Sequence, residues 1–212
     1  MLQPTSQAHM PDKDIFKNIH GLTIDAFIRK TANSKPEITG GAVILTTARM
    51  GLALILLSLE ISYKKTREKS IKENIKEKIS LLRSLEQKLA DAAEVDLQIF
   101  NEVRNRPGSM RRQALGSEYL ELLKQSINSP LEASGAVSDI IKVAGNCSAY
   151  CKKTVISDLN AGLMILSSAF QSLLLLASSN IRSLPLTERK HYKELLLRIS
   201  QEKIERLIPD RL

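Results

Sequence analysis

The sequence predicts an all-α fold, an up-and-down helical bundle with long buried helices that dimerises through helices. Three observations predict it. Aromatic residues are only 4% of the 212 residues, Trp is absent, and Gly (9) and Pro (7) are scarce, whereas β-sandwiches and barrels need many turn residues and aromatic strands. Hydrophobic residues at 43% against 25% charged suffice for a core and exclude a disordered chain. Apolar positions recur every three or four residues, and no period-two pattern appears. The length suits one helical domain over residues 14–212, after a polar, Pro-containing tail over 1–13 that lacks the features of a signal peptide.

A first helix is expected over Ile15–Lys30, interrupted by Gly21, followed by a loop over Ala32–Thr39. Gly40-Gly41 opens a second helix over Ala42–Ile61, with Thr39 as its N-cap. A charged amphipathic helix begins at Lys64, its stripe formed by Ile71, Ile75, Ile79, Leu82, Leu85 and Leu89. The stripe continues through Ala92, Asp96, Ile99 or Phe100, and Val103. A carboxylate on such a stripe is costly unless partnered. Asp96 is therefore either satisfied by a backbone or Arg partner or turned into a polar cavity. Arg104–Arg112 reads as a solvated basic loop, without the aromatic residues that would stack on bases. Glu118–Ile127 reads as a short helix. Ser129-Pro130-Leu131-Glu132 is a capping-box start for another helix that runs to Ala144. Asp158 is expected to N-cap the uncharged helix Leu159–Ile181, and Thr187–Leu207 forms the last helix.

Two long apolar stretches raise the question of a membrane. Leu159–Ile181 is long enough to span one, but its Asn, Gln and Ser residues suit close helix–helix contact. We read it as a buried helix, and full burial in so short a chain calls for an oligomer. The net charge of +8 suits anionic partners. Cys147 and Cys151 form no disulfide framework, which fits a reducing cytoplasm, and the three histidines assemble no metal-ligand spacing.

Three segments carry a resemblance. Pro36-Glu37-Ile38-Thr39-Gly40-Gly41-Ala42 leads into an Ala/Leu-rich helix with Gly51 inside it and Ser62, Lys64 and Lys65 near its end. Asp96-Leu97-Gln98-Ile99-Phe100-Asn101-Glu102-Val103 places an Asp, a Phe and a Val at a characteristic spacing. Ser157-Asp158 opens a small-residue helix ending Asn180-Ile181-Arg182. In this order they resemble the cyclodeaminase/cyclohydrolase family of folate enzymes, whose patterns are Pro-x-Pro-Gly-Gly-Gly-Ser, Asp-x-x-Ala-Phe-x-x-Val, and Ser-Asp-Val followed by Asn-Val-x-x-Asn. Pro130-Leu131 also resembles that family's Val-Pro-Leu. The chain departs from the patterns at Ile38, Thr39, Ala42 and Leu184, among other positions.

The resemblance implies an all-helical homodimer or dimer of dimers in folate one-carbon metabolism. The implied reaction closes formiminotetrahydrofolate to methenyltetrahydrofolate with loss of ammonia, or hydrolyses the methenyl form. The tetrahydrofolate derivative is substrate, and no metal or other cofactor is implied. Asp158 and Asp96 become the candidate acid/base residues. Thr39, Gly40, Gly41, Arg49, Lys64, Lys65 and Asn180 become candidate substrate contacts, the cations for folate glutamate carboxylates. Bland readings stand beside these: a tight turn at Gly40-Gly41, a solvated face at Lys64 and Lys65, an acid partner for Arg49, an interhelical hydrogen bond for Asn180. Two rival readings remain: an inactive folate-binding or scaffold relative, motivated by Ile38, Thr39 and Ala42, and a basic helical protein that binds nucleic acid or membrane. The first reading expects neither of those last two partners.

Overall fold

A computed structural model describes residues 19–105 and 117–207. They form six α-helices: α1 (Ile24–Thr31), α2 (Gly40–Lys65), α3 (Lys69–Asn105), α4 (Ser117–Gly145), α5 (Ile156–Ile181) and α6 (Leu186–Leu207). Short 3-10 turns cover Ile19–Gly21, Ser148–Tyr150 and Lys153–Val155. No strand occurs among the described residues, so the all-α expectation holds. Residues 15–18 of the expected first helix lie outside the described residues, as does most of the basic loop after Asn105.

The bundle is α2, α3, α4 and α5. Its core residues on α2 are Ala42, Leu45, Ala48, Leu52, Ile55 and Leu59, spaced by three and four. They meet Ile75, Ile79, Leu82, Leu85, Leu89, Ala93 and Leu97 of α3 in one cluster, with Val137 and Ile140 of α4 and Leu166, Phe170 and Leu173 of α5. The α3 stripe departs from expectation after Leu89. It continues through Ala93 and Leu97, leaving Ala92 and Asp96 half-buried on its flank.

Neighbouring helices run antiparallel, and side-chain pairs set the register. Arg49 of α2 pairs with Glu86 of α3 at 2.6 Å and Glu60 with Arg83 at 2.8 Å, so the numbering rises along α2 as it falls along α3. Along α5, Ser58 of α2 donates to the Val155 carbonyl at 3.0 Å, while Gly51 faces Gly162. At that crossing neither helix has room for a side chain. A methyl group on Gly162 would lie 2.5 Å from the Gly51 carbonyl oxygen, and one on Gly51 would lie 2.8 Å from Ile165 Cγ2. A second cluster ties α6 to the end of the bundle through Leu123, Ile127, Leu131, Ala177, Ile181, Leu184 and Tyr192.

Several boundaries differ from expectation. In place of one helix over Ile15–Lys30 the described residues form a 3-10 turn and then α1 from Ile24, and α3 begins at Lys69 and not at Lys64, which still belongs to α2. α2 continues past Ile61 to Lys65, because Ser62 and Thr66 bond back to carbonyls of the preceding turn and continue the buried stripe. Ser129-Pro130 does not start a helix. α4 runs unbroken through Pro130, which is buried inside it. Asp158 is not an N-cap either. Val155 holds that position, and Asp158 lies in the first turn, where its charge favours the helix N-terminus. The expected Thr39 cap is present.

The two apolar helices are not fully buried. α2 and the stretch 153–181 are long and apolar enough to cross a membrane by length and composition, yet less than half of each apolar window is covered within the chain. Their outer faces present Met50 (50% exposed) and Leu57 on α2, and Met164 (62%) and Leu175 (73%) on α5.

Candidate active site

Thr39 stands just before α2 in extended conformation, and its Oγ1 accepts a hydrogen bond from the Ala42 amide at 3.0 Å. Asp96, half-buried on α3, comes down on this turn, and the Thr39 hydroxyl donates to its Oδ2. Gly41 makes the approach possible. It is buried, and a methyl group there would overlap the carboxyl carbon and both oxygens of Asp96. Gly40 is exposed, and a methyl group on it would meet nothing within 4 Å. Of the two glycines, only Gly41 is required by the space around it.

Two opposed effects act on Asp96. Burial pushes its carboxyl above the usual carboxylate range, and the Thr39 hydroxyl and Ala42 amide pull back by favouring the charged form. Burial wins, so the group is moved toward the range in which a carboxyl both takes and returns a proton. In place of the expected backbone or Arg partner, the Thr39 hydroxyl donates to Asp96, with the Ala42 amide close enough to favour the charged form.

The other candidates separate into two ends of the bundle. Asn180 lies at the Asp96 end, where its Nδ2 donates to the Ser126 carbonyl at 2.7 Å. Asp158 lies toward the other end, three residues beyond the Val155 carbonyl that accepts from Ser58. At 1.5 Å per residue along α2, this puts it roughly 20 Å from Gly40 within one chain. Lys64 and Lys65 are exposed in the last turn of α2, about 36 Å from its start.

Arg49 lies between the ends, and its guanidinium is occupied. Nε and Nη2 meet Glu86 Oε1 at 2.7 and 2.6 Å, and Nη1 lies 2.6 Å from His20 Nδ1. His20 Nε2 in turn lies 3.3 Å from the Ala90 carbonyl and 3.6 Å from Glu94. The acid partner expected for Arg49 is Glu86. His20, which sequence reasoning left unassigned, joins the same network and ties the segment before α1 to α2 and α3.

Two open grooves flank the bundle. One of about 500 Å³ runs between α3 and α4, past Lys88, Gln98, Glu102, Gln125, Asn128 and Glu132. The other, about 310 Å³, lies between α2 and α5 and is lined by Val43, Ile44, Thr47, Met164 and Ile165 among others. Asp96 lines neither. Among the described residues no three of His, Cys, Asp and Glu converge on one point as a metal site would need.

The geometry can be set beside known proteins. The family model described as formiminotransferase-cyclodeaminase matches residues 23–201, from the cap of α1 into α6. The chain belongs to the formiminotransferase-cyclodeaminase family. Its fold is similar to the crystal structure of formiminotetrahydrofolate cyclodeaminase from Thermotoga maritima, with a TM-score of 0.76 at 19% identity over 89% of this chain and 91% of that one. No curated protein matches the sequence.

The matched span contains both arms of the site, Thr39 to Ala42 and Asp96. For this formiminotransferase-cyclodeaminase family member, the glycine-rich turn and the α3 aspartate are thus two halves of one cluster. Sequence reasoning identified the pieces but not their contact, because 57 residues separate them and no local pattern reports a contact that distant. The hints were the misplaced charge on the α3 stripe and the family resemblance, which made both pieces candidates for one substrate site.

Proposed function

We propose that this chain is a formiminotetrahydrofolate cyclodeaminase of folate one-carbon metabolism, with Asp96 as its acid/base residue. The observation that carries the proposal is the seating of the Asp96 carboxylate on the first turn of α2, admitted by Gly41 and raised in pKa by burial. Family membership supplies the substrate class.

The chemistry needs one such group. In the formimino compound, the neighbouring folate nitrogen attacks the formimino carbon to give a tetrahedral centre bearing three nitrogens. The attacking nitrogen loses its proton, and the former imino nitrogen gains two protons, that one and a second from solvent, and leaves as ammonia. What remains is the methenyl cation bridging two folate nitrogens. A single carboxyl that accepts the first proton and returns it to the leaving amine serves both steps. The N-terminal amides of α2 favour the anionic form between them.

We further propose that the working form is a cytoplasmic homodimer, or a dimer of dimers, packed through the bare faces of α2 and α5. A two-fold axis perpendicular to these two helices sets the Asp158 and Lys64-Lys65 end of one copy beside the Gly41 and Asp96 end of the other. In that arrangement Asp158 assists Asp96, and the lysines ring the folate glutamate. Burial of Met50, Leu57, Met164 and Leu175 drives the association. Under this reading the +8 charge serves a polyanionic small molecule, without nucleic acid or membrane as partner.

The deciding experiment incubates purified protein with formiminotetrahydrofolate and follows ammonia release and growth of the methenyl chromophore. Wild-type turnover with loss in Asp96→Asn supports the proposal, and no product from folded wild-type protein removes it. Mixing Asp96→Asn with Asp158→Asn tests the shared site. If the two residues come from different copies, random mixed dimers restore about a quarter of the activity. If both act within one copy, mixing restores nothing.

A further inference from the structure

We propose that Thr39 is a positioning residue for Asp96, its hydroxyl holding the carboxylate against the first turn of α2 rather than touching substrate. The inference rests on the reading of Asp96 as acid/base. It assigns Thr39 a different task from the substrate contact that the family resemblance implies.

The directions of the hydrogen bonds carry the argument. The Ala42 amide can only donate, so at 3.0 Å it uses a lone pair of Thr39 Oγ1. The single hydroxyl proton is then free to point elsewhere, and it points at Asp96 Oδ2. The result is a one-way relay, amide to hydroxyl to carboxylate, that extends the positive end of α2 by one side chain. Thr39 is 8% exposed. With its proton given to Asp96 and a lone pair taken by Ala42, it has little left to offer a ligand.

The relay also selects the state of Asp96. A hydroxyl donor stabilises the ionised carboxylate more than the neutral acid, in opposition to the effect of burial. The family pattern has glycine at this position. Glycine still caps a helix acceptably, but it has no proton to donate. Thr39 is thus a feature of this chain that fixes one oxygen of the acid/base group and moderates its proton affinity.

The test replaces Thr39 by Gly, which removes the hydroxyl and keeps a tolerated cap, and by Ser, which keeps the hydroxyl. Aspartate labelled with carbon-13 at the carboxyl carbon is titrated by NMR in each protein, with the Asp96 signal assigned by its absence in Asp96→Asn. The pH profile of kcat is recorded alongside. The expected result is an upward shift of the Asp96 midpoint in Thr39→Gly, no shift in Thr39→Ser, and an acid limb of kcat that follows the midpoint. An Asp96 midpoint unchanged in Thr39→Gly overturns the proposal. A midpoint that moves while the acid limb stays put upholds the Thr39–Asp96 coupling and instead removes Asp96 from the reaction, so the two readings fail separately.

Discussion

The side-chain amide of Asn180 donates to the Ser126 carbonyl at 2.7 Å, and that carbonyl is the acceptor that Pro130 cannot fill. In an α-helix the Ser126 oxygen awaits the N–H of residue 130. Proline has none. Asn180 of α5 supplies the missing donor, which is how α4 runs straight through its proline. Asn180→Ala should therefore destabilise the fold by about 1 kcal/mol, since the Ser126 carbonyl it leaves unpaired is partly buried. Thermal unfolding and KM are measured together. A lower Tm with KM unchanged marks a structural amide, and the reverse marks a substrate contact.

The two glycines of the α2 turn should respond in opposite ways. Gly40→Ala has open space, and no glycine among the described residues adopts positive φ. It should leave turnover intact and raise stability by up to about 1 kcal/mol through helix propensity. Gly41→Ala drives a methyl group into the Asp96 carboxylate. It should cost about 1–3 kcal/mol and reduce kcat at least about tenfold as the carboxylate is displaced. Equal effects from the two substitutions would contradict the proposed seating.

Asp96 should lower stability at neutral pH. Its folded pKa is raised above the ordinary value of 3.8, so the folded state holds its proton more tightly than the unfolded chain does. The contribution is fully present below 3.8 and is lost as pH rises through the folded value. Asp96→Asn, an uncharged near-isostere, should therefore unfold at higher temperature than wild type at pH 7. The gap should close as pH falls toward 3.8. Differential scanning calorimetry over that range measures it, and a wild-type protein more stable than Asp96→Asn at pH 7 would contradict a raised carboxyl.

The α2–α5 crossing leaves no slack. Gly162→Ala places a methyl group 2.5 Å from the Gly51 carbonyl oxygen and 2.7 Å from Ile55 Cγ1. Backbone and a buried core residue must move, which costs about 1–3 kcal/mol or more. Urea denaturation should show the loss. Gly135→Ala, where a methyl group meets nothing within 4 Å, is the control.

The two thiols should be sluggish. Burial pushes Cys147 up to about 11, with the nearby Cys151 adding to the effect. Cys151 is also raised by burial, offset in part by a hydrogen bond with Ser62. At pH 8 fewer than about one Cys147 in a hundred is thiolate. Alkylation of native protein should therefore be far slower than of unfolded chain and should reach the half-buried Cys151 first.

The sequence alone determined the helical class, the N-cap at Thr39, the core stripe of α3 as far as Leu89 and the anomaly of a carboxylate at Asp96. Each of these is written in spacing along one helix, where residues three and four apart share a face by geometry. It also supplied the family resemblance, and the family match over residues 23–201 bore out membership. Tertiary structure alone decided which pieces meet. It joined Asp96 to Thr39 and Gly41, gave Arg49 to Glu86 and His20, and turned Asn180 toward a carbonyl stranded by Pro130. It also placed Asp158 and the Lys64-Lys65 pair at the end of the bundle away from Asp96. The physical reason is the antiparallel register of the helices. That register is set by summed packing along their whole length and by a glycine crossing with no room for side chains, neither of which a local pattern can report.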